Sequence, residues 1–373
     1  MSAVRTSAPE LVEAVRRIGP ELEAAARQAE LERALPAHVV ALLRELGLFW
    51  LKTPEELGGS ELDPLAFCDV LEEVAHHDAS AAWAVMVGNG TTGYLVGRMP
   101  DAGIAEMFPP GGPLPIMAGQ FVRYGTAVPE GGGYRVTGRW SFCSGIMHAN
   151  WVSGAFRLGD DDIRLFCVPK SEATVHDVWH VAGLQGTGSN DFSLQDHFIP
   201  ASRTMRALDD PPRRGGPLFG QPVQTFVGNE MGPVAIGIAR RAVDDMRNHA
   251  GRSGGGHRSA LGDRVSFHKA IAQADAVVAA ARLLYRDVVA SGWEQYLRDG
   301  AVDPAEMDIG MARTTYAVDS CIDAIGQLFR YGGGRVLSLD HPMQRHLRNL
   351  IGVGQHIALS EENYERAGLA LLP

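Results

Sequence analysis

Cysteine is scarce in this 373-residue chain and is nowhere paired in sequence. The four residues Cys68, Cys143, Cys167 and Cys321 form no C-x-x-C step and no zinc-ligand spacing, which argues against a disulfide framework or a structural zinc. Clustered positive charge is also missing. The net charge is −10 and no Lys/Arg run occurs, so a nucleic-acid backbone is a poor partner. No apolar run reaches the roughly 18 residues that a membrane-spanning helix needs. No H-E-x-x-H is present, and "AHHD" puts His76 and His77 on different faces of a helix, so no metal site is expected. No G-x-G-x-x-G stands between a strand and a helix: "GGGYRVTG" reads as a hairpin turn, and "YGGGRVLSLD" fits no βαβ unit. A chain without that unit is not expected to draw hydride from NAD(P)H by itself.

What is present describes a soluble globular protein, with 45% apolar and 21% charged residues. The first 35 residues are charged throughout and lack the apolar core of a signal peptide, so a cytoplasmic location is expected. Within them Leu11, Val15, Ile18 and Leu22 share one helical face. In "LDPLAFCDVLEEVAHHD" an N-cap Asp63 and a first-turn Pro64 start a second strong helix. "SAAWAVMVGNGTTGYLVGRM" is small and apolar on all sides and predicts a buried helix. After the Pro/Gly cluster "FPPGGPLP", short β-rich runs separated by Gly, Asp and Pro predict an antiparallel β domain. Beyond "DDPPRRGGPLFGQP" long helices return, over about 226–249, 261–291, 303–329 and from 341 onwards. The predicted fold is α+β: an N-terminal helical domain at 1–113, a barrel-like middle domain at 114–217 and a C-terminal four-helix bundle at 218–373.

Three stretches could carry chemistry. "GRWSFCSGIMHANW", from Gly138 to Trp151, holds two tryptophans, a phenylalanine, a Cys-Ser-Gly step and a histidine in fourteen residues. So many flat rings on one strand suggest that it covers something flat. In "GLQGTGSNDFSLQDHFIP", glycines interleave with Thr187 and Ser189 before a strand, which suits either an ordinary turn or hydrogen bonding to a polar ligand. In "HPMQRHLRNLIGVGQHIALSEEN", Arg345, Arg348, Gly352 and His356 follow one helical face. Two glycines inside that helix cost roughly 1 kcal/mol each relative to alanine, a sign that something bulky approaches the backbone. His356 is either a satisfied core histidine or a functional one.

Over nearly its whole length the chain resembles the acyl-CoA dehydrogenase fold, and within it the flavin-dependent monooxygenases of two-component systems. The resemblance rests on Gly138, Arg139, Trp140, Phe142, Ser144, Gly145, His148, Ala149 and Trp151, on the Gly183–Pro200 segment and on "DHPMQRHLRNLIGVGQH". It implies an oxygenase component that takes reduced flavin (FAD or FMN) from a separate NAD(P)H-dependent flavin reductase. Reaction with O2 would form a C4a-(hydro)peroxide and hydroxylate a small organic substrate. By the same resemblance Trp140 and Phe142 wall the flavin ring, Ser144 sits near its N5–C4a edge, and Thr187, Gly188 and Ser189 contact the ring or ribityl chain. Arg258, with Arg264 as its rival, would face the cofactor phosphates, and a homotetramer would place the Gly332–Arg335 segment near a neighbouring cofactor. His356 would act as general base, its ordinary pKa lying near neutrality. Asn89 would line the substrate pocket or serve as a plain buried amide. The family's dehydrogenases use a glutamate where Ile357 stands here, although Glu230 in "GNEMGP" offers a displaced carboxylate. The alternatives are therefore an acyl-thioester dehydrogenase using Glu230, or a non-redox member that keeps the fold.

Overall fold

Asp63 accepts from the backbone N–H groups of Leu65 and Ala66 and so caps the helix that Pro64 begins, α3 (Pro64–His77). One residue later Asp78 caps the next in the same way, accepting from Ala81 at 2.6 Å. In this computed structural model, which describes residues 7–159, 162–207, 210–228, 230–251 and 260–373, these helices follow α1 (Ala8–Glu32) and α2 (Ala37–Glu45). The helix that Asp78 caps, α4 (Ala79–Arg98), is buried at almost every position. Its glycines permit close approach: a Cβ on Gly93 would lie 2.4 Å from the Lys52 carbonyl oxygen. The short α5 (Asp101–Met107) completes the N-terminal helices.

The middle of the chain is one seven-stranded sheet of β1 (Met117–Glu130), β2 (Gly133–Trp140), β3 (Trp151–Leu158), β4 (Asp162–Pro169), β5 (Thr174–His176), β6 (Asp191–Pro200) and β7 (Thr204–Arg206). The strand order is β5-β6-β2-β1-β3-β4-β7. The sheet is mixed rather than wholly antiparallel, because β1 and β3 pair in parallel, Met117 opposite Trp151. The cause is the segment between β2 and β3. β2 returns antiparallel to the start of β1, and residues 141–150 then cross to the far side of β1 instead of turning a hairpin. The aromatic-rich signature of the sequence spans this crossover, with Trp140 ending β2 and Trp151 opening β3.

C-terminal to the sheet come the short α6 (Val223–Val227) and then α7 (Met231–Ala250), α8 (Val265–Asp299), α9 (Pro304–Phe329), α10 (Pro342–Gly354) and α11 (Glu362–Ala370). α8 extends past the expected end to Gly300, whose left-handed conformation (φ 71°) terminates it. The last expected helix is broken. α10 stops at Gly354, so His356 does not continue the face of Arg345 and Arg348. It takes an extended conformation (φ −71°, ψ 138°) and opens a 3-10 turn at Ile357–Leu359. Two glycines in three residues weaken the helix there more than face periodicity can offset.

Candidate active site

The crossover leaves β2 at Trp140 and reverses at Phe142, which has a positive φ of 61°, rare for a bulky residue. Backbone bonds fasten it to the 184–190 loop: Gly145 N–H donates to Thr187 O at 2.8 Å, and Cys143 N–H to Asn190 O at 3.2 Å. Gly188 lets that loop turn (φ 56°), and a Cβ there would meet the Arg33 carbonyl oxygen at 2.9 Å.

Between the two segments runs a chain of hydroxyls. Trp83 Nε1 lies 3.0 Å from Ser144 Oγ, Ser144 Oγ 2.7 Å from Ser189 Oγ, and Ser189 Oγ 2.7 Å from Thr187 Oγ1. Thr187 Oγ1 lies 2.8 Å from the Leu184 carbonyl oxygen. The ends determine the direction of every bond. An indole N–H only donates, a carbonyl only accepts, and each hydroxyl has one proton. Trp83 therefore donates to Ser144, Ser144 to Ser189, Ser189 to Thr187 and Thr187 to Leu184. Every proton of the chain is committed, and Ser144 has only a lone pair left to offer a bound molecule.

Trp140 and Phe142, expected to act together, separate. Trp140 is wholly enclosed, stacked on Phe192 at 4.9 Å and edge-on to Phe166 at 5.0 Å, with Nε1–H donating to Ala155 O at 2.9 Å. It is a core residue of the sheet and offers no face to a ligand. Strand alternation would put residues 140 and 142 on one side, but the chain has left the strand and turned over by Phe142. Phe142 is 63% exposed, with Trp179 edge-on to it at 6.1 Å. Asn190 positions that partner, its Oδ1 accepting from the backbone N–H groups of Val178 and Trp179 at 2.9 and 3.0 Å.

The rings of Trp83 and His356 meet edge to face at 5.6 Å. Burial pulls the His356 imidazole down to about 4, so the ring is neutral at pH 7. Sequence reasoning paired Ser144 with His356 but missed the residue between them. Trp83 is visible in the sequence only as one aromatic in a run of small residues.

Three further expectations resolve differently. Asn89 does not line a pocket: it is fully enclosed, donating to Leu48 O at 2.7 Å and Val85 O at 2.8 Å and accepting from Lys52 N–H at 3.0 Å. It is a core amide that pins the 48–52 segment to α4. Glu230 forms a buried ion pair with Lys52, whose Nζ also reaches Phe226 O and lies 3.8 Å from the centre of the Phe226 ring. Burial raises the Glu230 carboxyl to about 7, against the pull of the Lys52 ammonium, and this occupied group is poorly placed to take a substrate proton. Ile357 is 66% exposed and has no proton-accepting group. Arg258 lies outside the described residues; its rival Arg264 is the residue before α8, and Phe267, three residues on, packs on Tyr331 at 5.9 Å.

Among the described residues Glu73, His76 and His77 bring ligand atoms within 4.8 Å of one another. His77 is already shared between Glu23 and Glu73, and Arg241 and Arg16 neutralise those carboxylates. The cluster is a compensated ion-pair network.

Comparison with known proteins bears on the fold and the family. The family model described as acyl-CoA dehydrogenase, N-terminal domain, matches residues 7–102, and that of the acyl-CoA dehydrogenase C-terminal domain matches residues 230–361. The chain is 29% identical over 345 residues to an indole-3-acetate monooxygenase of Pseudomonas putida, covering 90% of this chain and 87% of that protein. It is 28% identical over 357 residues to the FADH(2)-dependent resorcinol hydroxylase, oxygenase component, of a Rhizobium species, again covering 90% and 87%. Of solved structures, XiaF from Streptomyces sp. in complex with FADH2 and glycerol superposes with a TM-score of 0.90 at 25% identity, covering 98% of this chain and 97% of that one. Two matching domains, whole-length monooxygenase relatives and a shared fold lead to one assignment: the chain belongs to the acyl-CoA dehydrogenase fold superfamily, in its flavin-dependent monooxygenase branch.

Proposed function

We infer that this protein is the oxygenase component of a two-component flavin-dependent monooxygenase that hydroxylates a small organic substrate with reduced flavin and O2. One relative is named as a monooxygenase and another as the oxygenase component of an FADH(2)-dependent hydroxylase. The observation that carries the reading to this chain is the committed hydroxyl chain ending at Ser144, close in sequence to the open aromatic face of Phe142. A flat ring system with an N–H at its edge, as reduced flavin has at N5, fits that donor and acceptor set. Bound reduced flavin supplies the two electrons with which one oxygen atom of O2 enters the substrate and the other leaves as water.

The protein's own groups then have separate tasks. Phe142, with Trp179 at its edge, offers stacking surface, and Ser144 accepts a hydrogen bond from the ring N–H. Thr187 and Ser189, both buried, act by orienting Ser144 rather than by touching the ring. The surrounding apolar core keeps water from the reacting centre. Among the described residues the parallel pair β1–β3 is not part of a dinucleotide-binding βαβ unit, which supports a separate NAD(P)H-dependent reductase as the source of reduced flavin. A homotetramer is part of the proposal, with Arg258 and the Gly332–Arg335 segment facing a neighbouring subunit's cofactor; Gly333, Gly334 and Arg335 are exposed. No helix among the described residues is long and apolar enough to cross a membrane, in keeping with the proposed cytoplasmic location.

The test compares two electron sources. Purified protein with oxidised flavin and NADH should consume negligible NADH. Chemically reduced flavin, O2 and a panel of phenols and amines should yield a product carrying one atom of ¹⁸O from ¹⁸O2. Rapid NADH consumption by the chain alone would overturn the two-component assignment. Bleaching of bound oxidised flavin by acyl-thioesters would restore the dehydrogenase reading.

A further inference from the structure

We infer that His356 serves the reaction as a hydrogen-bond donor, held in its Nε2–H tautomer by the backbone of its own turn, and not as the general base that its position suggests. The inference rests on the monooxygenase reading for its chemistry, but its geometry stands without flavin.

The backbone N–H of Ala358 lies 3.2 Å from His356 Nδ1. A peptide N–H can only donate, so Nδ1 must present its lone pair, and in the neutral ring the proton then resides on Nε2. Such a contact is an N-cap made by an imidazole in place of the usual hydroxyl or carboxylate. The turn that provides it is well anchored. His356 N–H donates to Val353 O at 3.1 Å, Leu359 N–H donates to His356 O at 2.8 Å, and Leu359 is buried. Protonating Nδ1 would turn this contact into two donors facing each other. Burial opposes the charged ring in the same sense, and no neighbouring charge contributes to the shift.

Nε2, across the ring from the turn, has no hydrogen-bond partner among the described residues. Trp83 meets the His356 ring edge to face and donates to Ser144. One indole thus separates two groups of opposite character: Ser144, which can only accept, and His356 Nε2–H, which can only donate while Nδ1 is engaged. A reactant group meeting His356 must therefore be an acceptor oxygen or nitrogen, such as a carbonyl, an ether or a phenolate. A phenol substrate would lose its proton by another route, and the pH dependence of its hydroxylation would follow its own ionisation rather than that of a histidine.

Two measurements test this. ¹⁵N NMR of imidazole-labelled, flavin-free protein, with the His356→Gln spectrum assigning the signal, should show pyridine-type Nδ1 and pyrrole-type Nε2. That pattern should persist unchanged from pH 8 to about 5. An Nδ1–H signature, or titration of His356 between pH 6 and 7, would overturn the inference whether or not the protein hydroxylates anything. The second measurement is turnover with reduced flavin. Glutamine places an amide N–H near the position of Nε2 but has no useful basicity. His356→Gln should keep product formation within roughly tenfold, while His356→Leu should lose the ~10²–10³-fold typical of a preorganised hydrogen-bond donor. If both variants fold as judged by their melting curves and Gln is as inactive as Leu, the donor role is wrong. Absence of product from the unsubstituted protein would instead count against the monooxygenase reading and leave the NMR result standing.

Discussion

Trp83 and Ser144 are 61 positions apart in sequence, and their 3.0 Å hydrogen bond fills one of the two lone pairs of Ser144 Oγ. Without the indole proton, Ser144 Oγ would have two open lone pairs, while its own proton stays with Ser189 because the Leu184 carbonyl fixes the order of the chain. With it, a single lone pair is left. A residue remote in sequence therefore limits how Ser144 can meet a bound molecule.

Replacing Trp83 by Phe keeps the aromatic bulk and removes only that donor. Loss of one buried hydrogen bond costs about 1 kcal/mol and should lower the melting temperature by a few degrees at most. The larger effect should be on coupling: the fraction of consumed O2 recovered as H2O2 should rise several-fold, as it should in Ser144→Ala. Peroxide and product are measured together in single-turnover reactions started with reduced flavin. Unchanged coupling in a folded Trp83→Phe variant would show that the indole's hydrogen bond to Ser144 is irrelevant to the reaction.

Asn89 should matter to stability and not to chemistry. Its side chain makes three core hydrogen bonds, two to carbonyls and one from a backbone N–H. Asn89→Ala leaves those groups buried and partly unsatisfied, at a cost of about 1–3 kcal/mol for each group that finds no partner. Denaturant titration should show a loss of at least ~3 kcal/mol. Substrate affinity per folded molecule should not change, and a selective rise in KM would return Asn89 to the pocket wall.

The Lys52–Glu230 pair predicts non-additivity. Both side chains are less than a tenth exposed, at 4% and 7%. Removing either partner leaves a buried charge and should cost about 3–5 kcal/mol, whereas replacing both by methionine should recover most of that loss. A double-mutant cycle on unfolding free energies measures the coupling. Additive losses would mean that the two groups are independently solvated.

The order of helices, sheet and helices was legible from periodicity and from the Pro/Gly clusters between the segments. The run of flat rings was legible too, although as one strand rather than as a crossover between β2 and β3. Which ring faces outward was not. A period of two carries Trp140 and Phe142 to one side, and only the positive φ at Phe142, a backbone feature absent from any residue pattern, separates them. The expected helical placement of His356 failed for a related reason: helical spacing extends through Gly352 and Gly354 on paper, but the helix ends at Gly354. Trp83 and Asn190 owe their importance to partners brought near by the fold, and local sequence does not encode those partners.

His148, in the same crossover, predicts how the protein responds to acid. Its Nε2 is buried without a hydrogen-bond partner among the described residues, and its ring packs 5.2 Å from that of Phe49. Burial, reinforced by Arg44 and Lys170, pulls the imidazole down to about 3. In the unfolded chain it returns to about 6.5. Between these values the unfolded state binds the proton and the folded state does not, so stability rises with pH and is lost as pH falls through 6.5 towards 3. From pH 7 to pH 5 the loss from this one group is about 2 kcal/mol. His356, lowered to about 4, adds to the same limb. His148→Gln cannot charge, so it should lower stability slightly at pH 7 yet flatten the dependence of melting temperature on pH between 7 and 5. Parallel melting curves for variant and unsubstituted protein across that interval would mean that His148 takes up its proton in the folded state, and that its pocket is open to water.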